Sequence, residues 1–103
     1  MNDYTREAVD EAIDEYFQDW KRNVNYWELS MNARIKVTTK ELLNQKTKFD
    51  KLMKIIEEKG RLNIEQSKQC DVAVEIIKRL AAEMERLFQA GNSNNTSNYD
   101  AKG

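Results

Sequence analysis

Over residues 1–59 the chain contains neither glycine nor proline, and proline is absent from all 103 residues. Those two residues are the usual interrupters of a helix, glycine through backbone entropy and proline through its missing amide and ring clash. A chain without them is free to run in long helices, and its apolar residues recur at helical spacing. Val9, Ile13, Tyr16, Trp20, Val24, Trp27, Met31 and Ile35 follow intervals of three and four. Those intervals keep all eight on one face of a single helix over about residues 3–35. The weak point is residues 23–28, because asparagines are poor helix-interior residues and Asn25 with Glu28 reads as a fresh N-cap.

A sharper start signal follows at residues 37–42. Thr38 is placed to cap the amide of Glu41 and Glu41 to reach back, while Val37 and Leu42 form the matching hydrophobic staple. The second helix is therefore predicted over about residues 39–59, with Leu42, Phe49, Leu52, Met53 and Ile56 on its inner arc. Gly60 suits the left-handed position that ends helices. Asn63 as cap and Gln66 as its box partner restart the chain. A third helix then spans about residues 64–90, carrying Cys70, Ala73, Val74, Ile77, Leu80, Ala81, Met84, Leu87 and Phe88 inward until Gly91 stops it. Residues 1–91 form one domain on this reading, and residues 92–103 a flexible polar tail.

Connections of about three residues require antiparallel neighbours. The fold class is all-α: an antiparallel, up-down-up bundle of three helices. At about 1.5 Å per residue the first helix would reach roughly 50 Å and the second only about 30 Å. Dimerisation would complete the bundle by covering the overhang.

Several kinds of chemistry are excluded by composition. There is no histidine, which removes triads, imidazole bases and the commonest transition-metal ligand. Cys70 is the lone cysteine, so it has neither a disulfide partner nor a base to activate it, which suits a reducing compartment. No glycine-rich loop precedes a helix to cradle phosphates. The best catalytic pattern is carboxylate: Asp10 with Asp14, and Glu11 with Glu15, each one helical turn apart and suited to a hard cation. That half resembles the all-helical nucleotide pyrophosphohydrolases of the MazG type, which use two acidic pairs on facing helices. The second helix offers no matching pair, since Glu57 and Glu58 are adjacent and point apart. No enzyme activity, metal, cofactor or small-molecule substrate is expected. No run approaches the roughly 18 apolar residues of a membrane span, and the acidic N-terminus lacks the apolar core of a signal peptide. A cytoplasmic protein without membrane contact is the expectation.

Contact is what remains. Five aromatic rings, Tyr16, Phe17, Trp20, Tyr26 and Trp27, fall within residues 15–29. At 100° per residue, Tyr16, Trp20 and Trp27 lie on the main apolar stripe with Phe17 at its edge, while Tyr26 and Leu29 fall elsewhere. On the third helix, Val72 and Ile76 widen the apolar arc to about 200°, against roughly 100° for an ordinary surface helix. The plainer reading is that these rings are core filler, because large rings are efficient bulk in a small domain. The sharper one is a protein interface of Trp20, Tyr26, Trp27, Leu29, Val72 and Ile76, engaging a second copy as a homodimer and a further protein. On that reading Tyr26→Ala with Leu29→Ala weakens association and leaves helicity intact.

Charge is spread unevenly. Residues 1–20 hold seven acids against Arg6 alone, and residues 21–62 hold eleven bases against five acids. An antiparallel hairpin would lay the acidic start of the first helix beside Lys46, Lys48, Lys51 and Lys54 of the second. The competing reading makes Lys40, Lys51 and Lys54 phosphate contacts on the outer face of that helix. A net charge of −1 and a pI near 5.5 disfavour it, since nucleic-acid domains are usually basic. An acidic strip that mimics a nucleic-acid backbone is a third reading. The wealth of Lys, Asn and Ile fits an AT-rich genome such as that of a phage or mobile element. The sequence thus predicts a small adaptor, inhibitor or regulator that works by binding.

Overall fold

The computed structural model of the chain describes residues 5–102, with side chains described through Gly91. Three helices form a bundle: α1 (Arg6–Asn23), α2 (Met31–Lys59) and α3 (Ile64–Lys102). A single 3₁₀ turn, Tyr26–Glu28, lies between α1 and α2. Both α1 and α2 pack on α3, which makes the last helix the spine of the molecule.

The first helix does not run to residue 35. Thr5 opens α1 by accepting from the Ala8 amide at 3.1 Å, and the helix ends at Asn23. Asn25 takes the left-handed conformation, φ 50° and ψ 48°, which asparagine tolerates better than almost any other residue with a Cβ. Ser30, in extended conformation, then caps α2 by accepting from the Ala33 amide at 3.2 Å. The second helix starts eight residues earlier than its capping box predicts and passes straight through Thr38. The physical reason is burial: Thr38 is 0% exposed, inside the bundle. A cap contributes about 1 kcal/mol, and β-branched residues inside a helix cost only tenths of a kcal/mol each, so packing along α3 decides.

The turn between α2 and α3 follows its local signals. Gly60 adopts φ 77° and its amide returns to the Ile56 carbonyl at 2.7 Å. Asn63 Oδ1 accepts from the Gln66 amide at 2.7 Å, and Gln66 Oε1 accepts from the Asn63 amide at 3.1 Å, a reciprocal box. The expected stop at Gly91 is not used, for α3 continues to Lys102. Gly91 is not in the left-handed conformation, and one glycine costs a helix only about 1 kcal/mol. The side chains of the expected tail, residues 92–103, lie outside the described residues.

The core joins Val9, Ile13 and Phe17 of α1 to Ile76 and Leu80 of α3, with Tyr16, Trp20, Leu42 and Val72 packed against it. The wide apolar arc of α3 has an internal cause. One flank, carrying Val72, Ile76 and Leu80, receives α1. A neighbouring flank faces α2, where Thr39 Oγ1 lies 3.7 Å from Met84 Sδ.

Candidate interaction surface

The five rings of residues 15–29 form one continuous chain of contacts. Tyr16 meets Phe17 at 6.1 Å and 86°, and Phe17 meets Trp20 at 6.1 Å and 86°. Trp20 meets Tyr26 at 5.5 Å and 45°, and Tyr26 meets Trp27 at 5.1 Å and 88°. The three edge-on pairs follow the ring quadrupole and add about 0.5–1.5 kcal/mol each beyond buried area. The chain runs from core to solvent. Phe17 is buried, Trp20 half-buried, Tyr26 fully buried, and Trp27 is 64% exposed.

Order at the exposed end comes from the backbone up. Asn25 turns the chain, and the Leu29 amide closes the 3₁₀ turn on the Tyr26 carbonyl at 3.2 Å. Arg34 then reaches back from the first turns of α2. Its Nε donates to the Tyr26 carbonyl at 3.1 Å and its Nη2 to the Trp27 carbonyl at 3.0 Å. The same guanidinium lies 5.3 Å from both the Tyr26 and Trp27 ring centres. Lys21 Nζ stands 4.9 Å from the Trp27 centre and 5.6 Å from that of Tyr26. Two cations thus clasp the Tyr26–Trp27 pair, a geometry the ring faces favour by about 0.5–1 kcal/mol each at exposed sites.

Beneath the pair, the Tyr26 hydroxyl donates to the Glu83 carboxylate on α3. Glu83 also accepts a forked pair from Arg86, Nε to Oε1 at 2.8 Å and Nη2 to Oε2 at 2.7 Å. The Arg86 bond, opposed by burial and helped by Tyr26, holds the Glu83 carboxyl down at about 2. Arg86 is raised in turn by the same bond. Burial first, then the Glu83 contact, pushes the Tyr26 phenol up. The Thr38 hydroxyl is buried beside this cluster and reaches no partner in good hydrogen-bond geometry. At the other end of the ring chain, the Tyr16 hydroxyl donates to Glu41 and accepts from Gln45 Nε2 at 2.6 Å.

These positions correct the expected interface. Tyr26 and Ile76 are interior, at 0% and 2% exposed, and Val72 is half-buried against the α1 core. The left-handed residue at Asn25 resets the helical phase, turning Tyr26 inward and Trp27 outward, the reverse of an unbroken helix. Trp20, Tyr26 and Trp27 meet at one end of the bundle with the half-buried Leu29 beside them. Val72 and Ile76 belong instead to the floor under α1. Lys21, Arg34, Glu83 and Arg86 carried no sequence signal, because their roles depend on the break at Asn25 and on register with α3.

The expected pairing of α1 acids with α2 lysines is also absent among the described residues. Asp14 pairs with Arg79 of α3 at 2.6 Å, Asp10 with Arg6 at 3.4 Å and Asp19 with Arg22 at 3.2 Å. The cause is that α1 leans on α3. Lys40, Lys51 and Lys54 are exposed on α2, and that helix contributes no ion pair among the described residues. No cluster of three or more His, Cys, Asp or Glu suited to a metal ion occurs among the described residues. None of the described helices is long and apolar enough to cross a membrane. Comparison of the chain with protein-family models, curated proteins and solved structures finds no match.

Proposed function

We propose that the chain is a non-enzymatic, cytoplasmic interaction module, a small adaptor, inhibitor or regulator of the kind mobile elements encode, that grips another protein through Trp27. One observation carries this reading: a tryptophan 64% exposed on a backbone fixed by Arg34. Exposed tryptophans on rigid supports dominate binding energy because little side-chain entropy is lost when they are buried. The flanking Lys21 and Arg34 favour a partner whose apolar pocket has an acidic rim. Replacing Trp27 with a photo-crosslinking benzoylphenylalanine tests the reading in lysate of the source cells. A discrete protein adduct is expected from position 27 and not from position 43, where Leu43 is 59% exposed on α2. Absence of a protein adduct at position 27 refutes it.

A second reading rests on a different observation. Helix α2 holds eight bases against four acids and makes no ion pair among the described residues, so no carboxylate competes with phosphates for Lys40, Lys51 and Lys54. Its signature is oligonucleotide affinity that falls steeply with salt and with substitution of those three lysines.

A further inference from the structure

Helix α2 buries the wrong residues for a complete bundle. Its buried positions are Thr38, Gln45 and Leu52, at intervals of seven. Its more apolar stripe is displaced by about a sixth of a turn: Ile35, Phe49, Met53 and Ile56 are only half-buried. The same holds on α3. Buried Ala73, Ile76, Leu80 and Leu87 serve the interior, while Cys70, Val74, Ile77, Ala81, Met84 and Phe88 form a second stripe beside them. Its spacing of four, three, four, three, four is a heptad seam. Phe88 is 53% exposed, Ala81 is exposed, and the other four are half-buried.

The two seams lie side by side. Thr39 touches Met84, and Phe49 shares a groove of about 450 Å³ with Val74 and Ile77. Antiparallel continuation from those points sets Ile35 near Phe88 and Met53 near Cys70. The face therefore spans two helices for about 27 Å along and, at about 10 Å per helix, about 20 Å across. Covered by an equal face it would bury about 1,100 Å² in total, which passes the roughly 1,000 Å² needed for a specific interface. Its edge carries Lys46 and Lys78 with Asp50 and Glu85, all exposed. Two charges of each sign let identical faces meet without net repulsion. The outer face of α2, with Lys40, Lys51 and Lys54 against Glu58, does not.

We propose that this face is covered by a second copy of the chain, with the α2–α3 hairpins of two protomers packing as a four-helix core. Helix α1 and Trp27 stay on the outside of that dimer, so self-association and the Trp27 contact are independent. Sedimentation equilibrium of the full chain is the test. A mass of twice 12.1 kDa is expected at micromolar concentration. Ala81→Arg and Phe88→Glu, both at exposed positions, should each raise the dimer dissociation constant at least about 100-fold while circular dichroism stays helical. Lys40→Glu, on the opposite face of α2, should leave the mass unchanged. A folded species of 12.1 kDa up to the highest concentration overturns the proposal and points to a foreign helix as occupant. So does a dimer that neither Ala81→Arg nor Phe88→Glu weakens, or an assembly larger than two.

Discussion

Tyr26→Phe removes one oxygen and tests the link between the exposed tryptophan and α3. Tyr26 is 0% exposed and the Glu83 side chain only 13% exposed, so water cannot readily replace the lost donor. A hydrogen bond to a charged group contributes about 1.5–3 kcal/mol. Arg86 still satisfies the carboxylate, which places the expected loss at the low end, about 1.5–2 kcal/mol. For a chain of this size that lowers the melting temperature by roughly 8 °C or more.

Acid pH supplies the discriminating measurement. Glu83 titrates at about 2 when folded, against 4.5 ordinarily. The unfolded chain therefore takes up the proton first as pH falls, so this stabilisation is complete above about pH 4.5 and disappears on the way to pH 2. Taken at face value the difference amounts to about 3 kcal/mol, but Arg86 is 53% exposed and solvent screening reduces it to about 1–2 kcal/mol. Losing the Tyr26 donor moves the Glu83 carboxyl back toward its ordinary range. Urea unfolding of wild type and Tyr26→Phe at pH 7, 4 and 2.5 should show a gap that narrows by about half or more. A gap below about 0.5 kcal/mol at pH 7, or one that does not narrow in acid, would refute the argument.

Four further outcomes follow from the same packing. Thr38→Val should be neutral or stabilising by up to about 1 kcal/mol, because it replaces a buried, unpartnered hydroxyl, whereas Ser30→Ala should cost about 1 kcal/mol as a lost cap. Urea midpoints of the two variants would exchange this order if α2 began at Thr38. Asn25→Gly should change stability little, while Asn25→Val should cost about 1–2 kcal/mol at a left-handed site, read by thermal melting. Tyr26→Ala with Leu29→Ala should lower stability by at least about 3 kcal/mol, measured by urea unfolding, instead of sparing the fold as an interface pair would. Burial pushes the Cys70 thiol up, so its reaction with a disulfide reagent at pH 7.5 should be slower than that of free cysteine.

Signals within a few residues of each other were legible in the sequence. Gly60, Asn63 and Gln66 act as their local chemistry predicts, because nothing elsewhere competes for that turn. The three-helix architecture followed from spacing alone. The break was misplaced because the capping box at Thr38 was the sharpest local start signal, whereas the structure starts α2 eight residues earlier, after Ser30. What separates them is tertiary: a start at Thr38 would undo the first turns of α2 and release Arg34 from the Tyr26 and Trp27 carbonyls. Sequence periodicity holds no term for that loss.

The same break decides which residue meets solvent. With an unbroken helix, Trp27 joins Trp20 and Tyr16 inside, and Tyr26 points away. A single residue at φ 50° shifts the phase, sending the tyrosine to Glu83 and the tryptophan into solvent. The choice is sensible for side chains of these kinds. Tyrosine brings a hydroxyl that reaches the Glu83 carboxylate, and the indole lies against two cations while staying largely exposed. The conformation of Asn25 therefore sets which ring is anchored and which is displayed. A substitution that restores helical phase through Asn25 would bury Trp27 and expose Tyr26 without changing either ring.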